Sequence, residues 1–488
     1  MKKLNSTNKD LQAIHTRRES ERPRDECGVA GVHGHSEAAK IAYLALYALQ
    51  HRGQESAGIC SAHAGEHFTH RSMGLVSETF DENVLAKLPG RHSIGHVRYS
   101  TTGESQIRNA QPICANTDVG PVAIAHNGNI VNALAIRSEL ESRGAIFSTT
   151  SDSEVVLHLL ARSREETVEE RLVDALSRLR GAFSLLLLTK DGLIAARDPR
   201  GFRPLTLGRV DGAWVVASET CALDLIGAEV EREVEPGEVI IIRRGRLRSI
   251  HPFPKAEQTF CIFEYIYFSR PDSNLQGGNV YAFRKELGRT LARESPVEAD
   301  MVVPLLDSGS AAALGYAEEA GIPYETALIR NHFVHRTFIQ PAQSIRHFGV
   351  KVKHNAIPEI LKGRKVVLVD DSVIRGTTLS KIAMVLRNAG ALEIHIRISA
   401  PPTLSPCHYG IDMPTREELI AHRLEVDEIR ESFGVDSLSY LSLDALRKGA
   451  ESLKHGICDA CFSREYPVPI DPDAPIPQLS LFREVEPN

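Results

Sequence analysis

Residues 365–382 read KVVLVDDSVIRGTTLSKI, and this stretch decides the fold of the second half of the chain. Its apolar start, Lys365–Val369, predicts a short buried strand that delivers two adjacent carboxylates to its carboxyl end. Apolar residues then recur at helical spacing, which predicts a helix over Thr377–Asn388 that ends before Gly390. The order of strand, polar turn and helix is typical of α/β folds with a parallel sheet, whose sites lie at the carboxyl ends of the strands.

The polar turn between that strand and that helix predicts a phosphate site. Backbone N–H groups at a helix N-terminus suit a phosphate monoester, and the hydroxyls of Thr377 and Thr378 add donors. Asp370 and Asp371 suit ribose hydroxyls or Mg²⁺, which prefers one or two carboxylates together with substrate oxygens. The alternative is an ordinary capped helix after a strand. A doubled acid followed by Arg-Gly-Thr-Thr is much rarer than a cap, and it favours the phosphate site.

This segment resembles the signature of type I phosphoribosyltransferases, which bind phosphoribosyl pyrophosphate (PRPP). The resemblance implies an α/β domain with a parallel sheet, in which the acids serve ribose and Mg²⁺ and the turn holds the 5-phosphate. A second loop, Asp307–Ser310, follows the predicted strand Met301–Leu306 and matches the family's diphosphate loop, although read alone it predicts only a turn. The implied PRPP-binding residues are Asp370, Asp371, Ser372, Arg375, Gly376, Thr377 and Thr378, and the implied ligands of one Mg²⁺ per subunit are Ser308, Asp370 and Asp371.

Two segments of the second half have little apolar periodicity. Arg330–Lys353 is rich in Arg, Lys and His. It is either a solvated loop or a mobile lid that covers PRPP and shields the reacting carbon from water. Five prolines between Pro467 and Pro477 predict an extended tail that continues over 471–488.

The first half of the chain consists mostly of short β-like runs separated by Gly, Asp and Asn turns. Two helical stretches interrupt the strands, Ala38–Gln50 and a broken one from Ser153 to about Arg180. This pattern predicts layered α+β packing. Residues 1–26 are polar and lack the apolar stretch of a secretory signal. They are either a solvated tail or a pro-segment that is removed before Cys27.

Cys27 is a candidate nucleophile, although a free cysteine is usually a small buried apolar group. Polar clusters at 51–58, 95–101, 126–129 and 150–154 lie in turns between apolar runs, where a scaffold presents functional groups. Cleavage of the Glu26–Cys27 bond would free an α-amine with a pKa near 8 beside the thiol. That amine can act as the base of an N-terminal nucleophile.

These clusters resemble class II glutamine amidotransferase domains. The resemblance implies an N-terminal-nucleophile hydrolase sandwich of αββα layers, in which Cys27 attacks the side-chain amide of glutamine. It also implies that Arg98 holds the substrate carboxylate and Asp152 its α-ammonium group. Asn127 and the N–H of Gly128 would form the oxyanion hole. Read without the family, Arg98 and Asp152 fit a surface ion pair, and Asn127-Gly128 fits a hairpin turn.

Four further cysteines could hold a metal group. Cys458 and Cys461 form a C-x-x-C pair, whereas Cys261 and Cys407 stand alone. Their spacing is compatible with structural zinc, with an iron–sulfur cluster or with no metal at all. The remaining cysteines, Cys60, Cys114 and Cys221, are expected to be packing residues.

A glutaminase domain followed by a PRPP-binding domain resembles the amidophosphoribosyltransferase family. The resemblance implies that ammonia from glutamine passes to PRPP and yields 5-phosphoribosylamine, pyrophosphate and glutamate, the first step of de novo purine biosynthesis. In the family's processed branch, cysteines matching Cys261, Cys407, Cys458 and Cys461 ligate one 4Fe–4S cluster per subunit. The implied divisions are a pro-segment (1–26), an amidotransferase domain (27–255), a phosphoribosyltransferase domain (256–470) and a tail (471–488). Inhibitory purine nucleotides and a homodimer or homotetramer are also expected.

Composition excludes several other classes of function. The net charge of −6 argues against a nucleic-acid partner, and no run of 18 apolar residues predicts a membrane span. Eight cysteines in 488 residues favour a reducing cytoplasm over a disulfide scaffold. Two alternatives stay open: a non-catalytic PRPP-sensing regulator, and a glutaminase that serves another phosphosugar acceptor.

Overall fold

The computed structural model describes residues 27–99, 105–331, 354–413 and 415–470. The expectations for the pro-segment, for residues 332–353 of the lid and for the tail over 471–488 therefore lie outside the described residues. Within the described ranges, every helix is too short or too polar to traverse a lipid bilayer.

The first half forms two antiparallel sheets. Their spatial orders are β11-β9-β10-β1-β4-β2-β3 and β13-β12-β8-β7-β6-β5. The strands are β1 (Gly28–His33), β2 (Ser56–His63), β3 (Glu66–Met73), β4 (His92–Arg98), β5 (Ile113–Thr117), β6 (Gly120–Ile130), β7 (Gly181–Thr189), β8 (Gly192–Arg197), β9 (Thr206–Val210), β10 (Ala213–Ala217), β11 (Glu229–Glu233), β12 (Val239–Arg243) and β13 (Arg246–Ile250).

The two sheets pack face to face, with helices on both outer faces. Side chains from both sheets, among them Val29, Ile94 and Leu186, form the core between them. Helix α1 (Ala38–Ala48) covers the first sheet. The second sheet is covered by α2 (Ala133–Ser142), α3 (Glu154–Arg162) and α4 (Val168–Ser177). The αββα sandwich that the sequence predicts is confirmed.

The second half contains a parallel sheet of four strands in the order β17-β20-β21-β22. The described strands are β14 (Phe260–Cys261), β15 (Asn274–Leu275), β16 (Gly278–Asn279), β17 (Met301–Pro304), β18 (Leu328–Arg330), β19 (His354–Ala356), β20 (Lys365–Asp370), β21 (Glu393–Ile398), β22 (Ser437–Tyr440) and β23 (Ile457–Cys458). The longer helices are α5 (Val280–Glu294), α6 (Ser310–Ala320), α7 (Thr377–Asn388), α8 (Val426–Phe433) and α9 (Leu443–Ala450). Apolar clusters lie on both faces of the sheet, so the α/β prediction is confirmed.

Candidate active site

Cys27 lies directly before β1, at the position where β1 pairs with the end of β4. Its residue is 7% exposed, and its Sγ lies 3.5 Å from the carbonyl oxygen of Tyr99. Burial raises the pKa of the Cys27 thiol to about 11, against the opposing effect of the Arg98 guanidinium. The thiol is therefore protonated at neutral pH, and it needs a base before it can attack an amide.

Arg98 and Asp152 are both buried near that thiol. The positive charge of Arg98 lowers the pKa of Cys27 and the negative charge of Asp152 raises it, so both groups act on the sulfur. Asp152 accepts a hydrogen bond from the backbone N–H of Ile130 at 2.9 Å, and Arg98 lies 3.6 Å from the carboxylate of Glu55. The structure thus places the Arg98 cation and the carboxylates of Asp152 and Glu55 close to the predicted nucleophile.

Asn127 carries a buried amide that has no hydrogen-bond partner among the described residues. It lies on β6, it is 0% exposed, and both its Nδ2 and its Oδ1 are unpartnered. Buried polar atoms almost always find a partner, so an unpartnered donor indicates a site that substrate completes. The next residue, Gly128, has φ +145°, and a Cβ there would lie 2.2 Å from the carbonyl oxygen of Ala182.

The network around Asp152 contains residues to which the sequence analysis gave no role. His126 Nδ1 lies 2.9 Å from the Ser153 hydroxyl and 3.7 Å from Asp152 Oδ2. Gln111 Oε1 accepts a hydrogen bond from the backbone N–H of His126, and Gln111 Nε2 donates one to the Ser153 hydroxyl. His126 and Ser153 belong to the polar clusters at 126–129 and 150–154, and this clustering is the sequence signal that could have identified them.

In the second half, Asp370 and Asp371 lie at the carboxyl end of β20, and each is 2% exposed. Asp371 Oδ1 accepts from the Ser372 hydroxyl at 2.5 Å, whereas its Oδ2 is buried without a partner among the described residues. A buried carboxylate oxygen without a donor is costly. It fits a site that a sugar hydroxyl or a hard cation completes.

The turn after these acids leads directly into α7. Gly376 has φ +79°, and a Cβ there would lie 2.8 Å from side-chain atoms of Ile420 and Phe433, so only glycine fits. Thr377 and Thr378 are the first two residues of the helix. Arg375 forms an ion pair with Glu418 at 3.3 Å.

The predicted diphosphate loop packs on the same edge of the sheet. A Cβ on Gly309 would lie 2.5 Å from the carbonyl oxygen of Val369 and 3.1 Å from the Cα of Asp370. Ser308 and the two acids therefore share one edge. Asp307 of the same loop forms an ion pair with Arg330, at the end of β18.

The four predicted metal-binding cysteines line one cavity. Burial, and then the neighbouring Cys261, Cys407 and Cys458 thiols, raise the pKa of Cys461. Among the described residues, no three His, Cys, Asp or Glu side chains converge on a point where a single ion could bind. Single zinc ions need sulfurs at about 2.3 Å from one centre. Four thiols around one cavity are a donor set that structural zinc and iron–sulfur clusters share. The cavity is lined by Phe202, Cys261, Cys407, Tyr409, Ile411, Cys458, Ala460, Cys461 and Tyr466.

A buried ion network joins the two halves beneath Cys27. Arg52 donates to the carbonyl oxygen of Cys27 at 3.0 Å and pairs with Glu219 at 2.6 Å and Glu264 at 2.7 Å. Burial raises the pKa of Glu219, but His51 and Arg52 outweigh burial and hold it at about 2. Arg52 belongs to the polar cluster at 51–58, and the sequence alone predicts no role for it.

The same network continues towards the cysteine cavity. Arg203 lies 3.4 Å from Glu264 and donates to the carbonyl oxygen of Tyr409 at 2.8 Å. The next residue, Gly410, packs on β6, because a Cβ on it would lie 2.8 Å from the carbonyl carbon of Gly128. The backbone of the second half therefore touches the strand that carries Asn127 and Gly128.

Two family models match the chain, one within each half. Residues 96–225 match a glutamine amidotransferase domain, and residues 284–430 match a phosphoribosyl transferase domain.

Individual relatives are similar over nearly the whole chain. Amidophosphoribosyltransferase 1 of Arabidopsis thaliana, which is described as chloroplastic, is 52% identical over 93% of this chain and 81% of its own length. Amidophosphoribosyltransferase of Bacillus subtilis strain 168 is 48% identical, over 93% of this chain and 97% of its own. The solved glutamine PRPP amidotransferase from B. subtilis, complexed with ADP and GMP, matches with a TM-score of 0.88 and 47% identity, over 92% of this chain and 99% of that one.

Proposed function

The chain belongs to the amidophosphoribosyltransferase family, which carries out the glutamine-dependent first step of purine biosynthesis, and from that premise we propose how its residues divide the reaction. The first half releases ammonia from glutamine. The second half uses that ammonia to displace pyrophosphate from C1 of PRPP, which gives 5-phosphoribosylamine.

In the first half, Cys27 attacks the side-chain amide of glutamine. Removal of residues 1–26 frees the α-amine of Cys27, which takes the thiol proton and later donates it to the leaving ammonia. Arg98 binds the substrate carboxylate, and Asp152 binds its α-ammonium group. Asn127 Nδ2 and the Gly128 N–H stabilise the oxyanion. Water then hydrolyses the γ-glutamyl thioester. The unpartnered buried amide of Asn127 carries this proposal.

In the second half, the edge formed by β20 and the Asp307–Ser310 loop binds PRPP. The 5-phosphate lies on the turn over 372–378, and the carboxylates of Asp370 and Asp371 face the ribose hydroxyls. Ser308, Asp370 and Asp371 would hold Mg²⁺, which supplies charge stabilisation on the departing pyrophosphate. The buried, unpartnered Asp371 Oδ2 supports this assignment. Ammonia must then pass from the first half to the second, and the two halves are in contact near Gly128 and Gly410.

Intact mass and product analysis test these assignments together. We expect active enzyme to begin at Cys27 and to release glutamate, pyrophosphate and 5-phosphoribosylamine when glutamine and PRPP are both present. Full synthesis by enzyme that retains Met1 would reject the role of the freed amine. Pyrophosphate release would also exclude the PRPP sensor, and a requirement for a different phosphosugar would favour the other alternative.

We also propose that the four-cysteine cavity holds a 4Fe–4S cluster. Four thiolates would bind it, and when bound it would crosslink β14, β23 and the segment that carries Cys407. Anaerobically purified protein should contain about four irons and four sulfides per chain. Stoichiometric zinc without sulfide would reject the proposal.

Regulation, assembly and compartment belong to the same proposal. Inhibition by purine nucleotides is supported by the B. subtilis relative with ADP and GMP bound. ADP and GMP added to the synthesis assay should lower the initial rate, and an unchanged rate would contradict this. We also propose that the chain forms a homo-oligomer, which analytical ultracentrifugation would test. The eight free cysteines support a reducing compartment such as the cytoplasm.

A further inference from the structure

Cys60 and Cys114 lie in sulfur–sulfur contact at the rim of the amidotransferase sandwich. Their Sγ atoms are 3.8 Å apart. Cys60 lies on β2 in one sheet and is fully buried, whereas Cys114 lies on β5, the edge strand of the other sheet, and is exposed. Cys114 is thus exposed at an edge strand, although its sulfur packs against Cys60 and Thr69.

The surroundings of Cys114 favour its thiolate. The Thr69 hydroxyl lies 3.1 Å from Cys114 Sγ. Hydrogen bonding with Cys60 and Thr69, together with the charge of Arg71, lowers the pKa of the Cys114 thiol against the opposing effect of burial. Because Cys114 is exposed and Cys60 is buried, peroxide reaches the Cys114 sulfur first, and the Cys60 sulfur lies within reach of it.

We propose that Cys60 and Cys114 are a peroxide-sensitive thiol pair that forms a disulfide between the two sheets of the sandwich. The Cys114 thiolate attacks hydrogen peroxide, the O–O bond breaks, and the departing hydroxide leaves as water after protonation, so that Cys114 carries a sulfenic acid. The Cys60 sulfur then attacks the Cys114 sulfur. The S–O bond breaks, and a second water leaves with the proton of the Cys60 thiol.

The electron count of this step balances, and the distance between the sulfurs allows it. Peroxide gains the two electrons that the two thiols lose. The sulfurs must close from 3.8 Å to about 2.05 Å, a small movement for an edge strand. This pair lies in neither the glutamine site nor the PRPP site described above.

The test uses the purified active enzyme, treated anaerobically with one equivalent of hydrogen peroxide. Remaining thiols are then alkylated, and the peptides are mapped without reduction. We expect a linked peptide that contains Cys60 and Cys114, which dithiothreitol separates. Both Cys60→Ser and Cys114→Ser should abolish this peptide, and Cys60→Ser should leave a sulfenic acid on Cys114 that dimedone traps.

Cys221→Ser is the matched control, because Cys221 is a buried cysteine on the same domain. This variant should form the linked peptide to the wild-type extent. Iron content, measured in parallel, separates attack on the cluster cysteines from reaction at this pair. Complete alkylation of Cys60 and Cys114 while other cysteines oxidise would overturn the proposal, as would conversion of Cys114 to sulfinic acid without any linkage.

Discussion

The glutamine site and the PRPP site differ in how completely the protein forms them without substrate. Around Cys27, the functional side chains of Arg98, Asn127 and Asp152 are no more than 7% exposed. At the PRPP site the two acids are equally buried, but the flanking Asp307 and Arg330 side chains are 57% and 46% exposed. The sandwich interior encloses the first group of side chains, whereas the second group lies at a sheet edge beside exposed residues.

Substitution of Cys27 should separate the two sites most strongly. Cys27→Ala should lower glutamine-dependent synthesis by about 10⁴-fold or more, because the nucleophile is lost. Synthesis from PRPP and added ammonia should persist, since the acceptor site is untouched. Both rates are measured by pyrophosphate release. The control Cys221→Ala removes another buried thiol and should leave both rates unchanged. Glutaminase activity that persists in Cys27→Ala would refute the assignment.

The reverse separation comes from the two acids. Changing Asp370 and Asp371 together to Asn should lower PRPP-dependent synthesis by about a thousandfold, because loss of both charges removes several kcal/mol of stabilisation. Glutamate release from glutamine should stay detectable. Asp427→Asn is the control, since that carboxylate is 93% exposed. Unaltered synthesis in the double variant would remove the acids from the site.

The contact between the halves allows a finer test. In Gly410→Ala, the new Cβ would press on the carbonyl carbon of Gly128 at 2.8 Å. We expect glutamine-dependent synthesis to fall about 10- to 100-fold, because β6, which carries Asn127 and Gly128, is displaced. Ammonia-dependent synthesis should be much less affected.

Gly434→Ala is the matched control for that test. It also has a positive φ, +65°, but no atom lies within 4 Å of its added Cβ. It carries the backbone cost alone. Equal losses in the two variants would show that strain, rather than the contact with Gly128, causes the effect.

The smallest expected effect is on acid stability. The pKa of Glu219 lies at about 2 in the folded chain, below its ordinary 4.5. Its stabilisation is therefore complete above about pH 4.5 and is lost as pH falls towards 2. In Glu219→Gln, the slope of unfolding free energy against pH should decrease by up to about 1.4 kcal/mol per pH unit in that window. Fluorescence of Trp214, the single tryptophan, reports on this half. An unchanged slope would contradict the prediction.

Local patterns predicted the parts of the fold that local physics decides. The predicted strand Lys365–Val369 extends by one residue, and the helix Thr377–Asn388 has the predicted bounds. The predicted helix Ala38–Gln50 ends at Ala48, where a short 3₁₀ turn over Gln50–Arg52 begins. That turn places Arg52 where it donates a hydrogen bond to the Cys27 carbonyl oxygen. Apolar periodicity cannot indicate such a contact.

Contacts between distant segments could not be read from the sequence. Arg52 and Glu264 are separated by 212 residues. In the sequence each resembles an ordinary surface charge, because burial of a charge becomes visible only when its partner is known. The likeness to known families pointed to Cys27, Asp370 and Asp371, but not to the approach of Gly410 to Gly128. The roles of these three residues stay predictions, as do the cluster ligands and the magnesium ligands.

A buried ion network ties the two halves to each other, so neither half can be replaced independently. It consists of Arg52, Glu219, Arg203 and Glu264. A glutaminase from another enzyme, grafted in place of residues 27–255, would leave Glu264 without its cations unless it also supplied both arginines. Engineers who recombine such enzymes should therefore keep Arg52, Arg203 and Glu219 in the grafted half together with its catalytic groups. Expressed alone, either fragment would have to hydrate charges that the intact chain keeps dry.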